Sequence, residues 1–269
     1  MAEEIIALLS TCWGSIRGLG SSLSAAEWDA ATDCPGWSVR DNVSHLIAIE
    51  RKLLGLADDP SPTEYPDHVK NDLGRFNEGA IELRRERSGT DVLAEFTEVT
   101  ALRERMLLAM SGDEFDRPTW SPMGDMPYRQ FMSMRLFDSW AHEQDMRRAV
   151  DRPGHLAGPV VDAVMAWHQR SLGFIVGKKA GAADGAVVEF VVTGPTHAKY
   201  DVEVRDRRAA IVDRPSAPPT ATLTCDTETF NALLCGRWSP DDARASGKLT
   251  LAGDAALAAA VATAMPYVP

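Results

Sequence analysis

Between residues 3 and 176 the apolar residues recur at three- and four-residue intervals, whereas beyond residue 185 they come in short β-branched runs separated by turn signals. That change restricts the chain to a helical part followed by a mixed part. Residues 3–19 carry Ile5, Ile6, Leu8, Leu9, Trp13, Ile16 and Leu19 on one face, which predicts a first amphipathic helix. Ser24 with Glu27 forms a capping box before a short turn of helix, and Ser38 with Asp41 is a related N-cap signal after the breaker Cys34-Pro35-Gly36. A second helix is therefore expected over 39–56. The proline-rich segment 58–66 reads as a loop, and 69–87 as a further helix. Thr90 caps a pattern through Val92, Phe96, Val99, Met106 and Met110 that Ser111-Gly112 ends. Residues 118–127 form a second loop, Pro127 opens a helix reaching about residue 150, and 159–176 completes the helical region.

Strands are expected at 187–192, 200–204, 209–212, 221–224 and 248–251, with helices after Asp226 and over 255–265. This is an α+β pattern, a mostly antiparallel sheet with helices on one face. The flexible stretch 177–185 places the domain boundary near residue 180, dividing the chain into 1–180 and 181–269. No internal repeat is present.

At 269 residues, 45% hydrophobic and 25% charged, the chain has the composition of a soluble globular protein able to bury a real core. A net charge of -11 argues against a phosphate-neutralising surface, and hence against nucleic-acid partners. No run approaches the length of a membrane span. Cys12, Cys34, Cys225 and Cys235 lack both CxxC spacing and the density of a disulfide framework, and the opening Met-Ala-Glu-Glu-Ile-Ile lacks the form of a secretory signal. The expected location is the cytoplasm. Gly18-Leu19-Gly20-Ser21 lacks a strand–turn–helix setting, so no nucleotide cofactor is implied.

Asp138 and His142 stand four apart on an expected helix and so share one face. The same spacing also occurs on solvated helix faces. Here the stripe runs Phe131, Met134, Asp138, Ala141, His142 and Asp145, an apolar row on which an uncompensated carboxylate is costly. His45 occupies a similar row, with Asn42 and Ile49 a turn to either side. A buried histidine is also commonly satisfied by a backbone carbonyl. Taken together, two imidazoles and one carboxylate offer three ligands with an open fourth position, the arrangement of a catalytic rather than a structural zinc site.

The run Thr32-Asp33-Cys34-Pro35-Gly36-Trp37-Ser38-Val39-Arg40-Asp41-Asn42-Val43-Ser44-His45-Leu46, followed about ninety residues later by Asp138-Ser139-Trp140-Ala141-His142-Glu143-Gln144-Asp145-Met146-Arg147, resembles the mycothiol-dependent maleylpyruvate isomerase family of the DinB-like superfamily. The resemblance implies an N-terminal four-helix bundle that binds a divalent metal, usually zinc, with nickel an alternative. By motif position it implies His45, Asp138 and His142 as ligands. The isomerase carries glutamate where Asp138 stands, so the ligand arm here is one methylene shorter. The segment 226–254, with Leu234-Cys235-Gly236-Arg237-Trp238-Ser239-Pro240, resembles the family's smaller α+β domain, which is similar to sterol-carrier folds.

What the resemblance implies for function is a cytoplasmic, actinobacterial, metal-dependent enzyme, monomer or homodimer, that uses mycothiol as thiol co-substrate or cofactor. It would act as an S-transferase or isomerase, presenting a thiolate at the metal to an electrophilic small molecule. Glu143 is a candidate proton carrier or orienting group for His142, or a helix charge paired with Arg147 and Arg148. Arg237 is a candidate clamp for a substrate carboxylate, or a surface residue. Trp37 and Trp140 are candidate pocket walls, or core. Cys34 precedes the expected helix start and has no adjacent histidine, which favours a structural role over a nucleophilic one. The alternatives are a metal-dependent hydrolase using Glu143 as general base, and a non-catalytic module holding a small apolar ligand.

Overall fold

The computed structural model describes residues 2–56, 64–67 and 69–268, so most of the expected loop 58–66 lies outside the described residues. Contacts divide the chain into two compact units, Met1–His155 and Leu156–Pro269.

The first unit comprises α1 (Ala2–Gly20), α2 (Ala25–Trp28), α3 (Val39–Leu53), α4 (Asp72–Glu82), α5 (Gly89–Ala109), α6 (Gly112–Asp116), the two-residue strands β1 (Pro118–Thr119) and β2 (Met126–Pro127), and α7 (Tyr128–Ala149). Helices α1, α3, α5 and α7 form the bundle: α1 packs on α5 and α7, and α3 on the same two. Their apolar stripes meet inside, where Leu9, Trp13, Ile16, Leu46, Ile47, Phe96 and Trp140 are fully buried. Both capping boxes form, Ser24 with Glu27 and Ser38 with Asp41.

Three local expectations change. Ser88, not Thr90, caps α5, because its hydroxyl accepts from the Asp91 amide. Ser111 does not simply end α5; with Glu114 it builds a capping box that starts α6. The loop 118–127 contains the antiparallel pair β1–β2.

The second unit holds α8 (Pro159–Phe174), a π-helical turn (Ile175–Lys179), β3 (Val187–Thr193), β4 (Ala198–Arg205), β5 (Arg208–Ile211), β6 (Ala221–Asp226), α9 (Thr227–Leu234), α10 (Pro240–Ala245), β7 (Leu249–Gly253) and α11 (Ala255–Ala264). The sheet order is β5-β4-β3-β6-β7, antiparallel throughout except for the parallel pair β3–β6. The division between the units falls upstream of the boundary expected near residue 180. Helix α8 packs on β4 and β5, and its Gly173 is so close to β5 that a Cβ there would lie 2.7 Å from the Ala209 carbonyl oxygen. The stretch read as flexible begins inside the π-helical turn.

Behind this sheet, His168 is wholly buried, its Nε2–H donating to Asn231 Oδ1 at 3.0 Å and its Nδ1 3.2 Å from the Tyr267 hydroxyl. Burial pulls the imidazole down from 6.5 to about 4, against the opposing bond to Asn231. An unfolded chain takes up this proton below 6.5, the folded unit only below about 4. Stability is therefore complete above 6.5 and falls as the pH drops through that window, by about 3 kcal/mol for this one group. Hydrogen exchange of the sheet amides at a series of pH values measures the loss, and His168→Gln should flatten the dependence.

Candidate metal centre

The turn before α3 builds one wall of the site. Pro35 and Gly36 occupy its centre, Gly36 has φ +76°, and the Trp37 amide donates to the Cys34 carbonyl at 3.0 Å, the pattern of a type II turn. The Thr32 amide donates to the Trp37 carbonyl at 2.9 Å, and Ala31 bridges Ser38. So anchored, the Trp37 indole lies 5.2 Å from the His45 ring and 5.9 Å, nearly parallel, from the His142 ring. Its Nε1–H donates to Glu78 Oε2 of α4 at 3.1 Å. Any side chain at Gly36 meets the left-handed penalty, so Gly36→Ala is expected to cost about 1–2 kcal/mol. Urea unfolding gives that number, and loss of near-ultraviolet dichroism reports displacement of the indole.

Across this wall the structure brings His45, Asp138 and His142 together. His45 Nε2 is 3.4 Å from Asp138 Oδ2, His142 Nε2 is 3.8 Å from Asp138 Oδ1, and the two imidazole centroids are 4.8 Å apart. One ligand atom from each residue falls within 4.8 Å of the others, a spread that one ion spans. Both histidines are buried, and the Asp138 side chain keeps 27% of its surface exposed, leaving the centre open on that side. Burial lowers the basicity of His45, only partly offset by Asp138. Burial also pushes the Asp138 carboxyl up, but Arg135, His45 and His142 together outweigh it and hold Asp138 well below the usual carboxylate range. Protonation of His45 is thereby disfavoured and Asp138 is held as an anion, as binding of a divalent cation requires.

An ion chain that single-residue patterns did not suggest supports the aspartate. Arg135 Nη1 donates to Asp138 Oδ2 at 2.7 Å and its Nε to Glu50 Oε1 at 2.9 Å, while Arg103 Nε donates to Glu50 Oε2 at 2.8 Å and Arg103 Nη2 to the Tyr128 hydroxyl at 2.9 Å. Glu50, Arg103 and Arg135 are all buried. The available signal was a charged residue on each of three otherwise apolar stripes, with Arg135 one turn before Asp138.

A second donor group, Cys34, His142 and Asp145, sits on the other edge of the His142 ring. Hydrogen bonds close it: the Cys34 thiol is 3.1 Å from Asp145 Oδ2, and Arg148 holds Asp145 Oδ1. The sulfur also stands 3.8 Å from His142 Nδ1, a neighbour that the sequence order does not show.

The remaining sequence candidates have these partners. Glu143, wholly buried, meets Ser15 at 2.6 Å, Arg147 at 2.8 Å and His155 at 2.8 Å. Adjacent helical residues point about 100° apart, so Glu143 faces α1 while His142 faces α3. Trp140 is core, its Nε1–H donating to the His155 carbonyl at 2.8 Å. Arg237 belongs to the second unit, half-buried in the turn after α9, with Nη1 3.4 Å from the Cys235 carbonyl oxygen.

Fold and site together define a two-unit chain with a candidate divalent-metal centre in its helical bundle. The family model described as the mycothiol maleylpyruvate isomerase N-terminal domain matches residues 9–147, and the model of the SCP-2 sterol transfer family matches 176–266. The chain belongs to the mycothiol maleylpyruvate isomerase family. It is similar to two crystal structures of mycothiol-dependent maleylpyruvate isomerase, one of a point mutant, at 16% identity with TM-scores of 0.56 and 0.54, over 94% of this chain and 93% of theirs. At that identity the likeness is one of fold. The apo form of sterol carrier protein 2 from Yarrowia lipolytica aligns over 42% of this chain and 95% of its own, at 16% identity and a TM-score of 0.31. No curated protein matches at a significant level. Among the described residues, no helix is long and apolar enough to cross a membrane.

Proposed function

We propose that this chain is a divalent-metal enzyme that uses mycothiol to transform an electrophilic small molecule, either isomerising it in the manner of maleylpyruvate isomerase or transferring the thiol to it. The observation that carries the reading is the convergence of His45, Asp138 and His142 in a chain of this family. A divalent ion held there supplies positive charge that favours a thiolate over a thiol at neutral pH, and thiolate is the nucleophile. The protein's own part is orientation. Arg135 holds one face of Asp138, Trp37 covers the two imidazole rings, and burial keeps His45 unprotonated. Zinc is the metal proposed, with nickel the alternative.

Arg237 is the proposed recognition group for a substrate carboxylate, through its planar fork. The hydrolase reading loses support, because Glu143, its proposed base, is engaged by Ser15, Arg147 and His155. Cobalt-substituted protein titrated with mycothiol tests the proposal: a sulfur-to-cobalt charge-transfer band should grow in the near ultraviolet and saturate at one thiol per chain. A spectrum that mycothiol leaves unchanged overturns the thiol chemistry.

A further inference from the structure

The two histidines of the centre differ on their far edges. His45 Nδ1 is buried with no hydrogen-bond partner among the described residues. His142 Nδ1 lies 2.7 Å from Asn42 Oδ1. Asn42 is wholly buried on α3, one turn before His45, and its amide orientation is fixed independently of the histidine. Its Nδ2 donates to the Ser38 carbonyl at 2.8 Å and to Thr32 Oγ1 at 3.0 Å. A carbonyl can only accept, so the NH₂ group must face Ser38, and Oδ1 is left toward the imidazole. An acceptor at 2.7 Å demands a donor, which places the proton on Nδ1.

We infer that Asn42 is a positioning residue that locks His142 in its Nδ1–H tautomer, so that Nε2 carries the lone pair facing Asp138 and His45. The inference deepens the proposed metal centre and takes its purpose from that reading. Only one tautomer can ligate through Nε2, and a second partner on Nδ1 also fixes the plane of the ring. Asp145 Oδ2 stands 3.4 Å from the same nitrogen, but the Cys34 thiol lies 3.1 Å from that oxygen, so the shorter bond to Asn42 decides. Thr32 adds a link to the turn: its hydroxyl donates to the Trp37 carbonyl at 2.9 Å while accepting from Asn42. One amide thus ties the α7 ligand, the α3 helix and the wall bearing Trp37 together.

The test is long-range ¹H–¹⁵N correlation of the histidine rings in chelator-treated full-length protein, with cobalt affinity measured alongside by competition with a chromophoric chelator. In the wild type His142 should show a protonated Nδ1 and a bare Nε2. Asn42→Leu should give averaged tautomers and bind cobalt about 10–100-fold more weakly, the range typical of lost outer partners, with its dichroism unchanged. Asn42→Asp, which keeps an acceptor, should retain the Nδ1–H form, and Asp145→Asn should leave it unaltered. A wild-type ring protonated on Nε2 overturns the inference, as does a folded leucine variant with an unchanged tautomer; if that variant fails to fold, the wild-type and Asn42→Asp spectra decide. A locked tautomer in a wild-type protein that does not take up cobalt would leave the lock standing and sink the metal centre instead.

Discussion

His45→Ala is expected to abolish stoichiometric metal binding and to reduce kcat/KM with mycothiol by more than about 100-fold. Replacing outer partners of a metal ligand already costs about 10–100-fold in affinity or activity, so deleting a ligand exceeds that range. His45 is the proposed ligand on α3; without it Asp138 and His142 remain as neighbours on a single turn of α7, two donors where an ion needs three. The loss should be chemical rather than structural. His45 Nδ1 makes no hydrogen bond among the described residues, so alanine breaks no network on that side, and the cavity lies beside an open face. Metal content per chain after dialysis and the urea midpoint separate the two effects. An alanine variant that keeps one metal per chain removes His45 from the ligand set.

The second large effect concerns stability. Glu50→Ala leaves Arg103 and Arg135 buried with no carboxylate between them, and is expected to destabilise the first unit by about 3–5 kcal/mol. Set against a typical total of about 5–15 kcal/mol for a domain, this brings the bundle near its unfolding limit. Glu50→Gln keeps the volume and one acceptor but loses the charge, and should fall between wild type and alanine. Arg135 would lose its anchor on α3, so the surviving protein should also bind metal more weakly. Urea unfolding of both variants, followed by tryptophan fluorescence, gives the values; an alanine variant as stable as wild type would show that the ion chain contributes nothing net.

How much of this was legible beforehand depends on which neighbours a residue meets. The Asp138–His142 spacing and the Ser38–Asp41 cap are local, and both were readable because four residues make one helical turn. His45 was readable as a polar residue on an apolar row. Glu143 illustrates the limit: adjacency to His142 suggested a shared site, but the sequence does not say that α1 brings Ser15 to the other side of α7. Asn42 was visible as an amide one turn before His45, yet its role needs the distance to a ring 100 positions away. Helix α8 continues the apolar period of the bundle, which by sequence places it there; its close approach to β5 assigns it to the second unit.

The packing of α1 against α7 has a consequence for how the chain becomes competent. The first and last long helices of the bundle are mutual neighbours, so the bundle cannot close until residues up to 149 have been synthesised. His45 therefore waits about ninety residues of synthesis for its partners. A nascent chain halted before α7 emerges from the ribosome has a half-built bundle with one imidazole and no ligand pair. For the proposed centre a full ligand set exists only once the bundle is complete, so metal uptake would follow closure of the unit rather than nucleate it.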